Sequence, residues 1–368
     1  MTTWLKAACL SIVCIALALG VAACGGSGSS STTESAKTAE ATTASADQPA
    51  NGKEVEIDVG TTVLKYPAGT KPKIAMFASS GTNIEETLHH TAEETADKYG
   101  YDFTYYDSKY DATTQLQQLQ NALSGGDYNA WILEADAGKL ACSTVKKASE
   151  QGIAVVQVQD YTCEQAGKPA GEESWTPGTV SSVGGATTLT YYEAFAKKVA
   201  ETIKSPEAEV GVITGTPTAP TTEELQEGLE KAGLNVVDES NTSYSTPEAL
   251  SATQTMLQAH PDLGALVAIS DDPTLGAVRA IEGSGKSGDL EVFGFGGSSE
   301  TVKLIEEGKV ALVAPYYPAS TAQQGVEAIH KAFEGEPVER FYNGFPSGSA
   351  DEPFFVTKAT VSKYEPQF

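Results

Sequence analysis

Residues 73–106 read KIAMFASSGTNIEETLHHTAEETADKYGYDFTYY. Lys73–Ala78 is a short apolar run, residues 83–98 have helical spacing and stop at Tyr99-Gly100, and residues 101–106 are strand-like. The alternation continues outward from there. An amphipathic helix is expected over 113–123, with Leu116, Leu119 and Leu123 on one face. Strands at 131–133 and 153–158 then flank a helix at 141–151. After a Gly/Ser/Pro-rich interval (167–185) the pattern resumes. Helices are expected at 191–203, 223–232, 247–259, 274–282, 300–307 and 319–333, and strands at 210–214, 234–237, 265–269, 291–295 and 310–314. Short apolar strands separated by helices mean parallel strands buried on both faces. Two such runs predict an α/β protein of two doubly wound parallel-sheet lobes. In such sheets a ligand sits beyond the strands' carboxyl ends.

The start of the chain is an address. Lys6 precedes an apolar run from Ala7 to Leu19 and then small residues, the plan of a signal peptide. The run is short for a membrane span of ~20 residues, although an uncut signal anchor is the runner-up. Val21-Ala22-Ala23-Cys24-Gly25 resembles the lipobox of bacterial lipoproteins. That resemblance implies removal of residues 1–23 and a diacylglyceryl thioether on Cys24. Residues 25–53 hold no aromatic side chain and read as a flexible tether, so 24–54 is expected to be lipidated cysteine plus linker. Residues 55–72 show no assignable pattern. The expected location is the outer face of the bacterial cytoplasmic membrane, through the lipid, or the periplasm.

The 368 residues carry 24 Lys+Arg against 49 Asp+Glu, a formal charge of −25. A chain this acidic repels a phosphate backbone, so nucleic acid is excluded as a partner. Hydrophobic residues make up 40%, enough for about two domains with full cores at roughly 150 residues each. Of five cysteines, Cys9 and Cys14 lie in the leader and Cys24 at the anchor. Cys142 and Cys163 remain. They either pair or stay as separate thiols; a disulfide is favoured because they flank one strand–helix–strand unit and the compartment permits oxidation.

Several stretches, in order, resemble one family. They are Ala96-Asp97-Lys98-Tyr99-Gly100-Tyr101; Ala259-His260-Pro261-Asp262 followed by Leu266-Val267-Ala268-Ile269-Ser270-Asp271-Asp272 and Leu275-Gly276-Ala277-Val278-Arg279-Ala280; Val292-Phe293-Gly294-Phe295; and Gly325-Val326-Glu327 with Gly335-Glu336. Together they resemble the type I periplasmic solute-binding proteins, near the ribose-binding branch, from Lys73 to about Lys358. The resemblance implies two lobes joined by a three-crossing hinge, near 181–184, 316–319 and 345–351. The first lobe would be 73–181 plus 318–346, the second 182–317 plus 347–368. It further implies a monomer that closes on a small polar solute, foremost a sugar, and presents it to an ABC permease. No enzyme activity and no cofactor are implied. The alternatives are a receptor for a sensor kinase or chemoreceptor, and a carrier for an amine-bearing or nucleoside solute.

Site residues follow from strand ends and from the resemblance. Asp160 ends a strand and matches a ligand-binding Asp, with Tyr161 beside it. Tyr244 and Tyr316 align with an aromatic across the cleft and a contact next to the hinge. Asp271 or Ser270 is expected on the ligand, with Asp272 as a helix cap. Three departures from the sugar pattern stand out. Glu223 falls where a guanidinium is expected, Gly296 replaces an Asp, and Ile84-Glu85 replace two stacking phenylalanines. The pocket would then hold Asp160, Glu223 and Glu85 with few cations, and a cationic solute could supply the missing partner. Glu85/His89 and Glu86/His90 have i,i+4 spacing but form no metal motif, and Gly283-Ser284-Gly285-Lys286-Ser287 lacks the first glycine of a phosphate loop. No metal site is therefore assigned.

Overall fold

The computed structural model describes residues 54–163, 168–217, 219–346 and 354–368. The leader, Cys24 and the tether lie outside the described residues, as does part of the third expected crossing. The chain begins with β1 (Glu54–Asp58) and β2 (Val63–Pro67), then β3 (Lys73–Ala78), α1 (Asn83–Tyr99), β4 (Asp102–Asp107), α2 (Ala112–Gly125), β5 (Ala130–Leu133), α3 (Gly138–Glu150), β6 (Ala154–Val158) and β7 (Ser181–Val183). There follow α4 (Leu189–Thr202), β8 (Glu209–Thr214), α5 (Pro220–Lys231), β9 (Asn235–Asn241), α6 (Thr246–Ala259), β10 (Leu263–Ala268), α7 (Asp271–Ser284), β11 (Glu291–Gly296), α8 (Ser299–Glu307) and β12 (Leu312–Pro315). The described chain closes with α9 (Pro318–Glu334), β13 (Phe341–Tyr342) and β14 (Val356–Thr357).

Two sheets result. One has the order β13-β7-β6-β5-β3-β4, the other β14-β12-β11-β10-β8-β9. Within these two six-stranded sheets every pair is parallel except β12 with the edge strand β14. Counterpart strands therefore occupy equivalent places in the two lobes: β3 matches β8, β5 matches β10, and β6 matches β11. The central strands are fully buried, as runs such as Ala130–Leu133 and Ala154–Val158 require when helices cover both faces. Ile74 and Met76 face a core shared with α1 and α9, while Phe77 and Trp131 face one shared with α2 and α3.

The first expected crossing, near 181–184, contains β7. All three residues of β7 hydrogen-bond within the first sheet, to β6 and β13, so the chain leaves that lobe only after Val183. It returns at Tyr316–Tyr317, because α9 packs on α1 and β6 of the first lobe. The stretch without an assignable pattern is an antiparallel hairpin, β1 with β2. Tyr66 lays its ring on Phe333 at 4.5 Å and donates its hydroxyl to the Gly152 carbonyl at 2.5 Å. Arg340 binds Asp58 at 2.9 Å. The hairpin thereby covers the end of the first sheet remote from the cleft.

Helix starts carry their own signals. Asp111 caps α2 by accepting the Thr114 N–H at 2.6 Å, and Ser245 caps α6. At α7 the N-cap is Ser270, not Asp272. Asp272 lies inside the first turn and accepts the Thr246 hydroxyl at 2.9 Å, tying α7 to α6. Cys142 and Cys163 are bonded, with Cα atoms 4.7 Å apart.

Candidate functional site

The carboxyl ends of the two sheets face each other, and the space between them is a cavity of about 50 Å³. At ~10–15 Å³ per water that is room for roughly three to five waters, a space suited to a small molecule. The first lobe contributes Glu85 from the first turn of α1, Tyr110 after β4, Glu134 and Asp136 after β5, and Gln159 and Asp160 after β6. The second contributes Thr216 and Thr221 around the start of α5, Tyr244 after β9, Ser270 after β10 and Tyr316 after β12.

Each side chain is held by a local device. Gln115 of α2 donates its amide to the Glu134 carbonyl at 2.8 Å and accepts the Asp136 N–H at 3.0 Å, which sets the turn after β5. Ser79 donates to Asp136 Oδ1 at 2.8 Å, and Gln159 donates to Glu134 Oε1 at 3.1 Å. The loop bearing Asp160 is pinned at its far end by the Cys142–Cys163 bond and by the Cys163 N–H on the Gly138 carbonyl at 3.0 Å. Gly138 is required there, since a Cβ would stand 2.0 Å from the Tyr161 carbonyl oxygen.

The aromatic pair has a twofold look. Tyr110 and Tyr244 sit at equivalent places, each just ahead of its lobe's capping residue, and both have left-handed backbones (φ 59 and 58). Such a conformation costs a non-glycine residue on the order of 1–3 kcal/mol and is held only where the surroundings over-determine it. Their rings stack across the cleft at 5.2 Å and 29°. Tyr244 lies against Gly215, where a Cβ would be 2.1 Å from the ring. Tyr316 is fixed by a 2.6 Å hydroxyl contact with Tyr192.

The electrostatics are one-sided. Burial pushes the Glu85 carboxyl up to about 7, against its own backbone N–H and the Tyr110 hydroxyl; Asp272 and Asp136 add to the rise. Burial, with Asp136 and Glu85 nearby, pushes Asp160 up to about 8. Glu134 is raised well above the carboxylate range by burial and then by Glu85, Asp160 and Asp136, and Asp136 is raised too. No Lys, Arg or His lines the cavity among the described residues.

Asp160, Tyr244, Ser270, Tyr316 and Glu85, expected from the sequence, come together here. Three others do not. Tyr161 turns away from the cavity and donates its hydroxyl to the Gly184 carbonyl at 2.6 Å, bracing the first crossing. Glu223 lies on the rim, exposed, 3.8 Å from Lys139 of the opposite lobe. Asp271 is buried beneath the site: its Oδ1 accepts the N–H groups of Gly297 and Ser298 and the hydroxyls of Ser298 and Thr301. Gly296 belongs to the same arrangement, because a Cβ there would lie 1.5 Å from Asp271 Oδ2. The sequence reading passed over Tyr110, Glu134, Asp136 and Gln159. The signal for Glu134 was available, since it follows the apolar strand β5 directly, much as Asp160 stands two residues beyond the end of β6. Among the described residues, only Glu86, His89 and His90 bring three potential metal ligands within 4.8 Å of one another. They belong to α1 but do not line the cavity.

The model of the periplasmic binding protein domain matches residues 74–337. The ribose import binding protein of Escherichia coli (strain K12) is 30% identical over 280 residues, covering 75% of this chain and 89% of that protein. The ribose import binding protein of Bacillus subtilis (strain 168) is 25% identical, covering 81% and 88%. Among solved structures, an ABC transporter solute-binding protein from Bacillus halodurans with bound myo-inositol has a TM-score of 0.69 at 21% identity, covering 82% of this chain and all of that one. One from Mycobacterium smegmatis with bound glycerol has a TM-score of 0.68 at 24% identity, covering 80% and 96%.

Proposed function

The chain belongs to the periplasmic binding protein family, and on that premise we propose that it is the solute-binding component of an ABC-type importer, tethered outside the cell by a lipid on Cys24 and closing two lobes on a small polyhydroxylated solute of the sugar class. One observation carries the reading: the cavity at facing sheet ends is lined mainly by hydrogen-bonding side chains and tyrosine rings from both lobes, with Ile84 and Ala219 as its apolar members. Such a site grips without cutting, and an occupant touching both lobes holds them closed. The closed form is then what a permease would meet, its population set by the solute's preference for it. The relatives named as ribose import binding proteins support the transport role. In this reading the lobes swing about the crossings after Val183, at Tyr316–Tyr317 and near residue 346.

The test is a thermal-shift screen of the mature chain across pentoses, hexoses, polyols and their amino derivatives, followed by small-angle scattering with the best binder. A ligand that raises Tm by mass action and shrinks the particle is the expected result. A particle of fixed size, indifferent to all of them, would end the proposal. For the anchor, Cys24→Ala should abolish metabolic labelling with palmitate, and undiminished labelling would remove the lipid from the account.

A further inference from the structure

Resting on the solute-binding reading above, we infer that the solute is a cation: the cleft is built for an amine-bearing polyol or sugar rather than for a neutral one. Glu85 and Glu134 are only 9% and 7% exposed, and each leaves its Oε2 buried without a hydrogen-bond partner. Asp160 Oδ1 and Asp136 Oδ2 are bare in the same way. All four carboxyls line one cavity that no Lys, Arg or His reaches among the described residues. The position where a sugar-binding relative's guanidinium was expected holds Glu223, whose partner Lys139 sits with it at the exposed rim.

A neutral sugar can donate hydroxyls to these oxygens, but it supplies no opposing charge to let the carboxyls ionise side by side. An ammonium brings three donors and the opposing charge, and bonds of that kind are roughly twice as strong as neutral ones. The stacked Tyr110 and Tyr244 add negative ring faces, which attract a cation and pack on the apolar side of a sugar ring. A metal ion suits the cavity poorly. A hard cation such as calcium gathers six to eight oxygens at about 2.3–2.6 Å. The cleft carboxylates contribute no trio of ligand atoms within 4.8 Å of one another. Separated carboxylates around a cavity of about 50 Å³ fit a charge carried on an organic frame.

The test is calorimetric titration of the mature chain at pH 7 with matched pairs: glucosamine against glucose, an inosamine against myo-inositol, and 1-amino-1-deoxyribitol against ribitol, with N-acetylglucosamine as the capped control. The amine of at least one pair should bind tenfold or more tightly than its hydroxyl twin and release protons, and acetylation should abolish the gain. Glu134→Gln and Asp160→Asn should each cut that preference below threefold while raising the Tm of the solute-free protein, which separates lost recognition from lost folding. If the hydroxyl twins bind as tightly as the amines, the charge inference falls and the solute-binding reading stands. If no member of any pair binds, both fall.

Discussion

Two equivalent strand ends treat a carboxylate in opposite ways. In the first lobe β5 runs into Glu134-Ala135-Asp136; in the second its counterpart β10 runs into Ile269-Ser270-Asp271. Asp271 Oδ1 is saturated by four donors from the loop after β11 and the start of α8. Glu134 has a single amide on Oε1 and nothing on Oε2; Asp271 also leaves its Oδ2 without a partner, so the two differ in the number of donors on the other oxygen. The loops next door reverse the pattern. In the second lobe the loop after β11 is held by Asp271, whereas in the first the loop after β6 is held covalently, by Cys142–Cys163. With the disulfide doing the pinning, the first lobe's acids are left free to face the cavity. The difference teaches that an acid at a strand end is structural where the protein supplies its donors and recognitive where it does not.

The largest effect should come from breaking the second lobe's arrangement. Asp271→Ala strands several buried donors at once, so it should cost about 3 kcal/mol or more in urea unfolding. Glu134→Ala, near the end of the counterpart strand, should cost far less, because it frees a single amide donor, that of Gln159. Equal losses at the two positions would erase the contrast. Next comes the disulfide. Its two cysteines are 21 residues apart, so reduction should cost roughly 3 kcal/mol in the chain-entropy model. Reduction should also weaken solute binding, since the Asp160 loop loses its pin. Full affinity in the Cys142→Ser/Cys163→Ser protein would show that the bond has no part in placing Asp160.

The third effect is on pH. Glu85 at about 7 and Asp160 at about 8 lie above their ordinary 4.5 and 3.8, with Glu134 and Asp136 raised as well and Tyr110 and Tyr244 also facing the cavity. The unfolded chain gives up these protons first, so through the interval between ordinary and native values the native state holds more protons. Stability is then present in full at low pH and is lost as pH rises towards 8, by about 1.4 kcal/mol per pH unit for each group that only the native state keeps protonated. Asp271, raised to about 6, contributes with the same sign over a narrower window. Chemical unfolding at both pH values measures the slope, and Glu134→Gln should flatten it; a stability that rises with pH would contradict the picture of uncompensated acids.

Much of the fold was legible because buried parallel strands write themselves as apolar runs, and β3 spans the six residues expected of it. The elements that escaped are those whose existence depends on partners. β7, β13 and β14 are two or three residues long and acquire their identity from the strands they join. The hairpin did carry a signal: Val55, Ile57, Leu64 and Tyr66 alternate with exposed neighbours. At the site, the strand-end rule supported Asp160, since topology alone brings such positions to the cleft, while Tyr244 and Tyr316 came from the resemblance and Ser270 was named as an alternative to Asp271. It could not tell Asp271 from Glu134, because Asp271's donors Ser298 and Thr301 lie 27 and 30 residues away along the chain. Both acids stand just beyond the carboxyl end of a central strand; the packing of the loop after β11 divides them.

The smallest expected effect concerns the rim. Lys139 of α3 and Glu223 of α5 meet at 3.8 Å with side chains 74% and 61% exposed, across the mouth that separates the lobes. An exposed pair of this kind contributes about 0–1 kcal/mol and is screened by salt. It has no counterpart inside either lobe's core, so Lys139→Ala should leave unfolding within about 0.5 kcal/mol of the parent. Its influence should instead fall on the balance between open and closed forms. A threefold weaker affinity at low ionic strength is expected, vanishing at high salt, because the pair can form only when the lobes approach. Titration of the variant at low and high salt measures this directly. A loss of affinity that persists at high salt would place Lys139 in contact with the solute itself and make Glu223's neighbourhood part of the recognition surface, contrary to the division between a charged interior and a screened rim.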